Sequence, residues 1–118
     1  LDLIECESIA VLNTAVALER LLRGAASAAG ANVIGALKHQ FKPQGASALL
    51  LLAESHVSIH TWPEFGSATV DMYTCGNVCD PVAGCMHIIE QLRPKDYVLT
   101  RVTRGSEFPP SNERVTLR

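Results

Sequence analysis

Ala46 to Ala53 is apolar except at Ser47, and it runs without a break into Glu54-Ser55-His56-Val57-Ser58-Ile59-His60-Thr61-Trp62-Pro63-Glu64. The Leu49-Leu50-Leu51-Leu52 stretch shows no alternation, which predicts a central strand covered on both faces. Burying such a strand requires a layered sheet, and this limits the folds open to the chain more than any other feature. The same text sets a hydroxyl, an imidazole and, further on, the Cys75 thiol close to a buried strand end. Such a cluster reads either as a catalytic site or as a polar strand end.

At 118 residues the chain is one domain, large enough to bury a core and small enough for an oligomer to be plausible. It is 47% apolar and 19% charged with a net charge of −2, so no basic nucleic-acid face or membrane-surface patch is expected. No apolar stretch approaches the ~20 residues that span a bilayer, and no charged-then-apolar leader is visible. Cys6, Cys75, Cys79 and Cys85 lack the paired C-x2-C knuckles of structural zinc sites. Neither a metal nor a disulfide is therefore expected, and the chain reads as a reduced, cytoplasmic protein.

Leu1 to Cys6 reads as a short strand. Ser8 caps a predicted helix whose Ile9, Leu12, Val16, Leu22 and Ala26 form one apolar face; Gly30 stops it. Residues 32–53 read as a hairpin of two strands, Asn32 to Phe41 and Ala46 to Ala53, about Lys42-Pro43-Gln44-Gly45, which fits a type I turn. Val57 to Thr61 is a further strand, ended by Pro63. From Ser67 to Cys75 the text alternates: Ala68, Val70, Met72 and Thr74 point one way, Ser67, Thr69, Asp71, Tyr73 and Cys75 the other. Asp80-Pro81 opens a helix that continues to about Leu92, and Asp96 to Thr103 closes as a last strand. Residues 1–105 form the domain, and 106–118 a loosely held polar tail.

The order β-α-β-β-β-β-α-β predicts an α+β fold: a two-layer sandwich, its sheet mostly antiparallel, with two helices on one face. The other face carries Asp71, Tyr73 and Cys75. A second copy of the chain is its simplest cover, so a homodimer is expected.

Ser55, His60 and Cys75 are the candidates for chemistry. A serine needs a base within hydrogen-bond reach, and His60 serves Ser55 only if the strand breaks near Glu54-Ser55, because positions five apart on a straight strand face opposite ways. No G-x-S-x-G elbow supplies an oxyanion hole, so a serine hydrolase is a weak reading. Taken singly, each residue also has a plainer reading: Ser55 as a turn serine, Cys75 as an inert thiol, Trp62 as a core or interface aromatic, His56 as a polar strand-end residue.

Phe41-Lys42-Pro43-Gln44-Gly45, then Ala53 to Glu64, then Val70-Asp71-Met72-Tyr73-Thr74-Cys75-Gly76 together resemble the signature of the prokaryotic S-adenosylmethionine decarboxylase proenzymes. The resemblance covers roughly residues 1–105 and is dense between Lys38 and Gly76. It implies a cofactor made from the chain itself. Ser55 would attack the carbonyl of Glu54, the resulting ester would undergo β-elimination, and the chain would divide into a β chain (1–54) and an α chain (55–118) blocked by a pyruvoyl group at position 55. A keto amide of this kind forms a Schiff base with the substrate amine and takes up the electron pair released with CO2.

The resemblance also implies roles. His60 and Ser47 would assist processing, Cys75 would return a proton to the substrate α-carbon, and Glu64 would hold the ribose hydroxyls. Phe41 and Trp62 would stack on adenine or lie near the sulfonium. Ser67 stands where the family commonly has an aromatic residue. The substrate implied is S-adenosylmethionine, whose decarboxylated product is the aminopropyl donor of spermidine and polyamine biosynthesis. Relatives on the same fold use L-arginine or L-ornithine, and a non-catalytic partner subunit is a further alternative.

Overall fold

The computed structural model describes residues 1–75 and 78–104 together with the backbone of 112–115. The elements in chain order are β1 (Asp2–Cys6), α1 (Ile9–Leu12), α2 (Ala15–Ala29), β2 (Val33–Gln40), β3 (Ala46–Leu52), β4 (Ser55–Trp62), a 3-10 turn (Pro63–Phe65), β5 (Ser67–Thr74), α3 (Pro81–Leu92), β6 (Pro94–Val102) and β7 (Asn112–Val115). The described strands form one sheet in the order β2-β3-β4-β5-β1-β6-β7, antiparallel throughout. Helices α2 and α3 pack on each other and on one face of this sheet, so the expected two-layer α+β sandwich is what the chain forms. No helix among the described residues is long and apolar enough to cross a membrane.

The core lies between the layers. Ala46, Ala48, Leu50 and Leu52 of β3, Val57 and Ile59 of β4, and Ala68 and Val70 of β5 meet Leu18, Leu22, Ala25 and Ala26 of α2 and Ile88 and Leu92 of α3. The β5 alternation is as the sequence predicts. The Leu49–Leu52 run is not: Leu50 and Leu52 are buried, whereas Leu49 is 39% and Leu51 54% exposed. The strand is covered on one face only, and its other two leucines stand on the open face beside Leu37, 73% exposed on β2.

The single helix expected after Ser8 is two. Ser8 does not cap it with its side chain; its hydroxyl donates to the carbonyl of Gln91 (3.1 Å). The break at Asn13-Thr14 is filled by Gln40, whose Nε2 donates to Asn13 C=O (3.0 Å) and whose Oε1 accepts from Ala15 N–H (2.8 Å). A remote amide thus occupies backbone groups that a continuous helix would pair. The break resets the helical phase, leaving Ile9 and Val16 exposed and placing Ala15, Leu18 and Leu21 inside. Gly30 ends α2 in the left-handed conformation as expected, and Asp80 caps α3 by accepting from Ala83 N–H (3.2 Å).

The 42–45 turn is closed by Phe41 N–H donating to Gly45 C=O (2.9 Å); its Lys42–Pro43 peptide is cis, and Gly45 sits at φ 91°. A Cβ there would come within 3.1 Å of the carbonyl oxygen of Thr61, so both conformation and space call for glycine. The tail also departs from expectation, because Asn112–Val115 pair with Leu99–Val102 as β7. Four residues of mixed polarity carry too little pattern to read as a strand. The rest of the tail, 105–111 and 116–118, lies outside the described residues.

Candidate active site

β3 passes into β4 through a two-residue turn, Ala53-Glu54, with Leu52 paired to Ser55. Three bonds to Asn32 brace it. Ala53 N–H donates to Asn32 C=O (2.8 Å), and the Glu54 carboxylate accepts from Asn32 N–H (3.0 Å) and Nδ2–H (2.9 Å). The two bonds from Asn32 to the carboxylate, that of its backbone N–H foremost, hold the Glu54 carboxyl below its ordinary pKa. Across the turn, the Glu54 carbonyl oxygen accepts from Cys75 N–H (3.0 Å).

The peptide bond between Glu54 and Ser55 is therefore held on its acyl side by a backbone donor and on its amine side by the β4–β5 ladder, where Ser55 faces Thr74. Ser55 has φ 153°, a backbone region that L-residues rarely adopt. Its Oγ lies 3.1 Å from His56 Nδ1. The His56 ring tilts against Tyr73, its partner in register (centroids 6.0 Å, 50°), and Arg104 covers the Tyr73 ring at 4.4 Å. His56, Asp71, Tyr73, Cys75 and Arg104 line a cavity of about 730 Å³ at this end of the sheet. The Cys75 thiol is exposed, while burial raises the pKa of nearby Cys79, helped by the charges of Glu54 and Cys75.

His60 is elsewhere. Strand β4 runs unbroken from Ser55 to Trp62, so His60 lies five residues along it, about 17 Å from Ser55 at ~3.3 Å per residue. There its Nδ1 meets Ser47 Oγ at 2.7 Å, the two residues facing each other in the β3–β4 register. Phe41, Trp62 and Glu64 are at this end too, all exposed, with Phe41 edge-on to His39 (4.6 Å). A groove of about 770 Å³ on the open face joins the two ends, passing Leu37, Leu49, Ser58 and His60 and reaching His56.

Thus Glu54, Ser55 and Cys75 are brought together, and so are Ser47 and His60, but within one chain the two groups remain apart. Sequence pattern alone assigns His56 no chemistry and does not point to Asn32. Direct adjacency to Ser55 was the available signal for the first; the second acts across the sheet end and has no local signature. Among the described residues no cluster of three or more His, Cys, Asp or Glu side chains could hold a metal ion. Gly76, the end of the Thr-Cys-Gly text, lies outside the described residues.

The sequence model of the family described as S-adenosylmethionine decarboxylase matches residues 1–105. The chain belongs to the S-adenosylmethionine decarboxylase family. It is 40% identical over 112 residues to an S-adenosylmethionine decarboxylase proenzyme of Prochlorococcus marinus, covering 95% of this chain and 91% of the relative. With the proenzyme of Moorella thermoacetica it shares 38% identity over 110 residues, covering 93% and 88%. Among solved structures, the adenosylmethionine decarboxylase of Aquifex aeolicus superposes with a TM-score of 0.74 at 42% identity, covering 80% of this chain and 77% of that one. Membership of this family makes the chain a decarboxylase proenzyme, and β7 lies beyond the residues that the family match spans.

Proposed function

We propose that this chain cuts itself between Glu54 and Ser55, converts Ser55 to a pyruvoyl group and decarboxylates S-adenosylmethionine, yielding the aminopropyl donor for polyamine synthesis. The observation that carries the reading is the Glu54 carbonyl, fixed by Cys75 N–H at 3.0 Å beside a serine in a rarely populated backbone conformation. A donor aimed at that oxygen stabilises the charge that develops there when Oγ attacks. The residues around position 55 suit the group: an N-terminal keto amide created there would open beside the exposed Cys75 thiol and the polar cavity. When formed, the pyruvoyl supplies an electrophilic carbonyl that captures the substrate amine and takes up the electron pair left by CO2.

The chain's own side chains do the rest. Cys75 delivers a proton to the substrate α-carbon as the general acid. Glu64 accepts from the ribose hydroxyls, while Phe41 and Trp62 take the adenine face. Ser47 and His60 act on the ester during processing.

The working unit is two chains. Ser55 and Cys75 lie at one end of β4, and Ser47, His60, Phe41, Trp62 and Glu64 at the other, all near an open sheet face that exposes Leu37, Leu49 and Leu51. Two such faces packed about a twofold axis lay one end on the other, so that each site takes its serine from one chain and its histidine from the partner. Four free cysteines fit a reducing, cytoplasmic setting.

Denaturing mass measurement tests the processing: two fragments split after Glu54 are expected, the larger with no free amino terminus. Release of labelled CO2 from S-adenosylmethionine, arginine and ornithine tests the substrate. The relatives described above favour the first. Release from arginine or ornithine alone would overturn the substrate assignment and leave the processing intact.

A further inference from the structure

The proposed self-cleavage needs a base for its first proton transfer, and within the protomer His60 does not supply it, being about 17 Å from Ser55 and bonded to Ser47. We infer that His56 is the base that starts it. His56 Nδ1 lies 3.1 Å from Ser55 Oγ, within direct proton-transfer range. The ring has a neighbour that steadies it: Tyr73 faces it in the β4–β5 register, with ring centroids 6.0 Å apart, and Arg104 lies 4.4 Å over the Tyr73 ring. His56 also lies where the polar cavity and the open-face groove meet, so the proton it carries need not cross the core.

The step balances without any further reactant. With its proton on Nε2, His56 accepts the Oγ proton at Nδ1 as Oγ bonds to the Glu54 carbonyl carbon, closing a five-membered ring. The charge on the former carbonyl oxygen falls toward Cys75 N–H. The imidazolium then gives the proton to the Ser55 nitrogen as the bond between that nitrogen and the Glu54 carbonyl carbon breaks. An amide becomes an ester plus an amine, and His56 is returned unchanged. On this assignment the two histidines act in sequence: His56 before the ester, His60 after it.

This inference rests on the self-processing reading, and its test separates the two. Full-length chains are synthesised as wild type, His56→Ala, His56→Asn and His60→Ala, and splitting is followed by denaturing mass measurement with and without hydroxylamine, which cleaves esters and leaves amides. His56→Asn keeps an acceptor near the Nδ1 position but cannot take the proton. Both His56 variants should split at least about 100-fold more slowly than wild type, the usual scale of a general base. They should stay whole in hydroxylamine, and free imidazole should partly restore splitting of His56→Ala. His60→Ala should be cut by hydroxylamine at position 54. Either His56 variant splitting at the wild-type rate, or being cut by hydroxylamine, overturns the assignment alone. A wild-type chain that stays whole overturns the processing reading and the assignment with it.

Discussion

The backbone N–H of Cys75 donates to the carbonyl oxygen of Glu54 at 3.0 Å, so the residue proposed to protonate the substrate also holds the bond proposed to break. The contact is made by the backbone, which separates the two roles experimentally. Cys75→Ala keeps the donor and should process at close to the wild-type rate, yet release CO2 at least about 100-fold more slowly, the scale of a lost general acid. Mass measurement reads the first quantity and labelled CO2 the second. An unprocessed Cys75→Ala chain would show that the thiol, not only its amide, acts on the bond.

Asn32 should govern how well the turn presents that bond. Its backbone N–H, and after it its side chain, hold the Glu54 carboxyl below the ordinary value of 4.5, so the contribution to stability is present above that value and is lost as pH falls through the folded one. In an uncut Ser55→Ala background, Asn32→Ala should move the Glu54 pKa upward, though not fully, because the backbone donor remains. Carboxyl NMR titration checks the direction. In the wild-type background the same change should slow splitting several-fold with little effect on melting, since the clamp is solvent-exposed.

Leu50 and Leu51 are neighbours on β3 with opposite surroundings. Leu50 is fully buried between the sheet and the helices, so Leu50→Ala should cost about 2–5 kcal/mol and lower the melting temperature. Leu51 faces the open side. Leu51→Glu should leave the chain folded while shifting its sedimentation from dimer toward monomer, since a charge would be buried at the seam. A dimer undisturbed by Leu51→Glu would place the interface elsewhere.

This difference between adjacent leucines also shows what the sequence could and could not disclose. Four leucines in a row contain no period, and only the helices on one side of β3 tell the buried pair from the exposed pair. The order of strands from β2 to β6, the glycine stop at Gly30 and the Asp80 cap were legible because each depends on neighbours in sequence. The helix break was not, because Gln40, distant in the chain, supplies the partners that Asn13 and Ala15 need. The site divides in the same way. Glu54, Ser55 and Cys75 could be named from their text, but that His60 pairs with Ser47 follows from strand register, and its distance from Ser55 from β4 running unbroken between them.

Cys6 gives the fold an alkaline limit. Burial raises its thiol from the ordinary 9.0 to about 11, so the folded chain keeps a proton that the unfolded chain has lost. Unfolding free energy should fall as pH rises from 9 to 11, by at most about 1.4 kcal/mol per pH unit from this group. Cys6→Ala should flatten that part of the curve in denaturant titrations, and the difference between the two chains isolates the Cys6 contribution from those of other groups titrating nearby.

Mixing two inactive chains tests the two-chain site most directly. Ser55→Ala cannot form the ester, and His60→Ala should halt at it, so neither alone should yield the finished α chain. In a hybrid dimer, one site would combine Ser55 of the His60→Ala chain with His60 of the Ser55→Ala chain, and would be complete. The other site would lack both. Co-expression should therefore split the His60→Ala chain and leave every Ser55→Ala chain whole, which mass measurement distinguishes without fractionation. Up to one chain of each hybrid should be cut, and CO2 release should appear in proportion. If Ser55 and His60 instead served each other within one chain, every site in the mixture would lack one partner and no splitting would follow. The separation of about 17 Å along β4 argues for the first outcome.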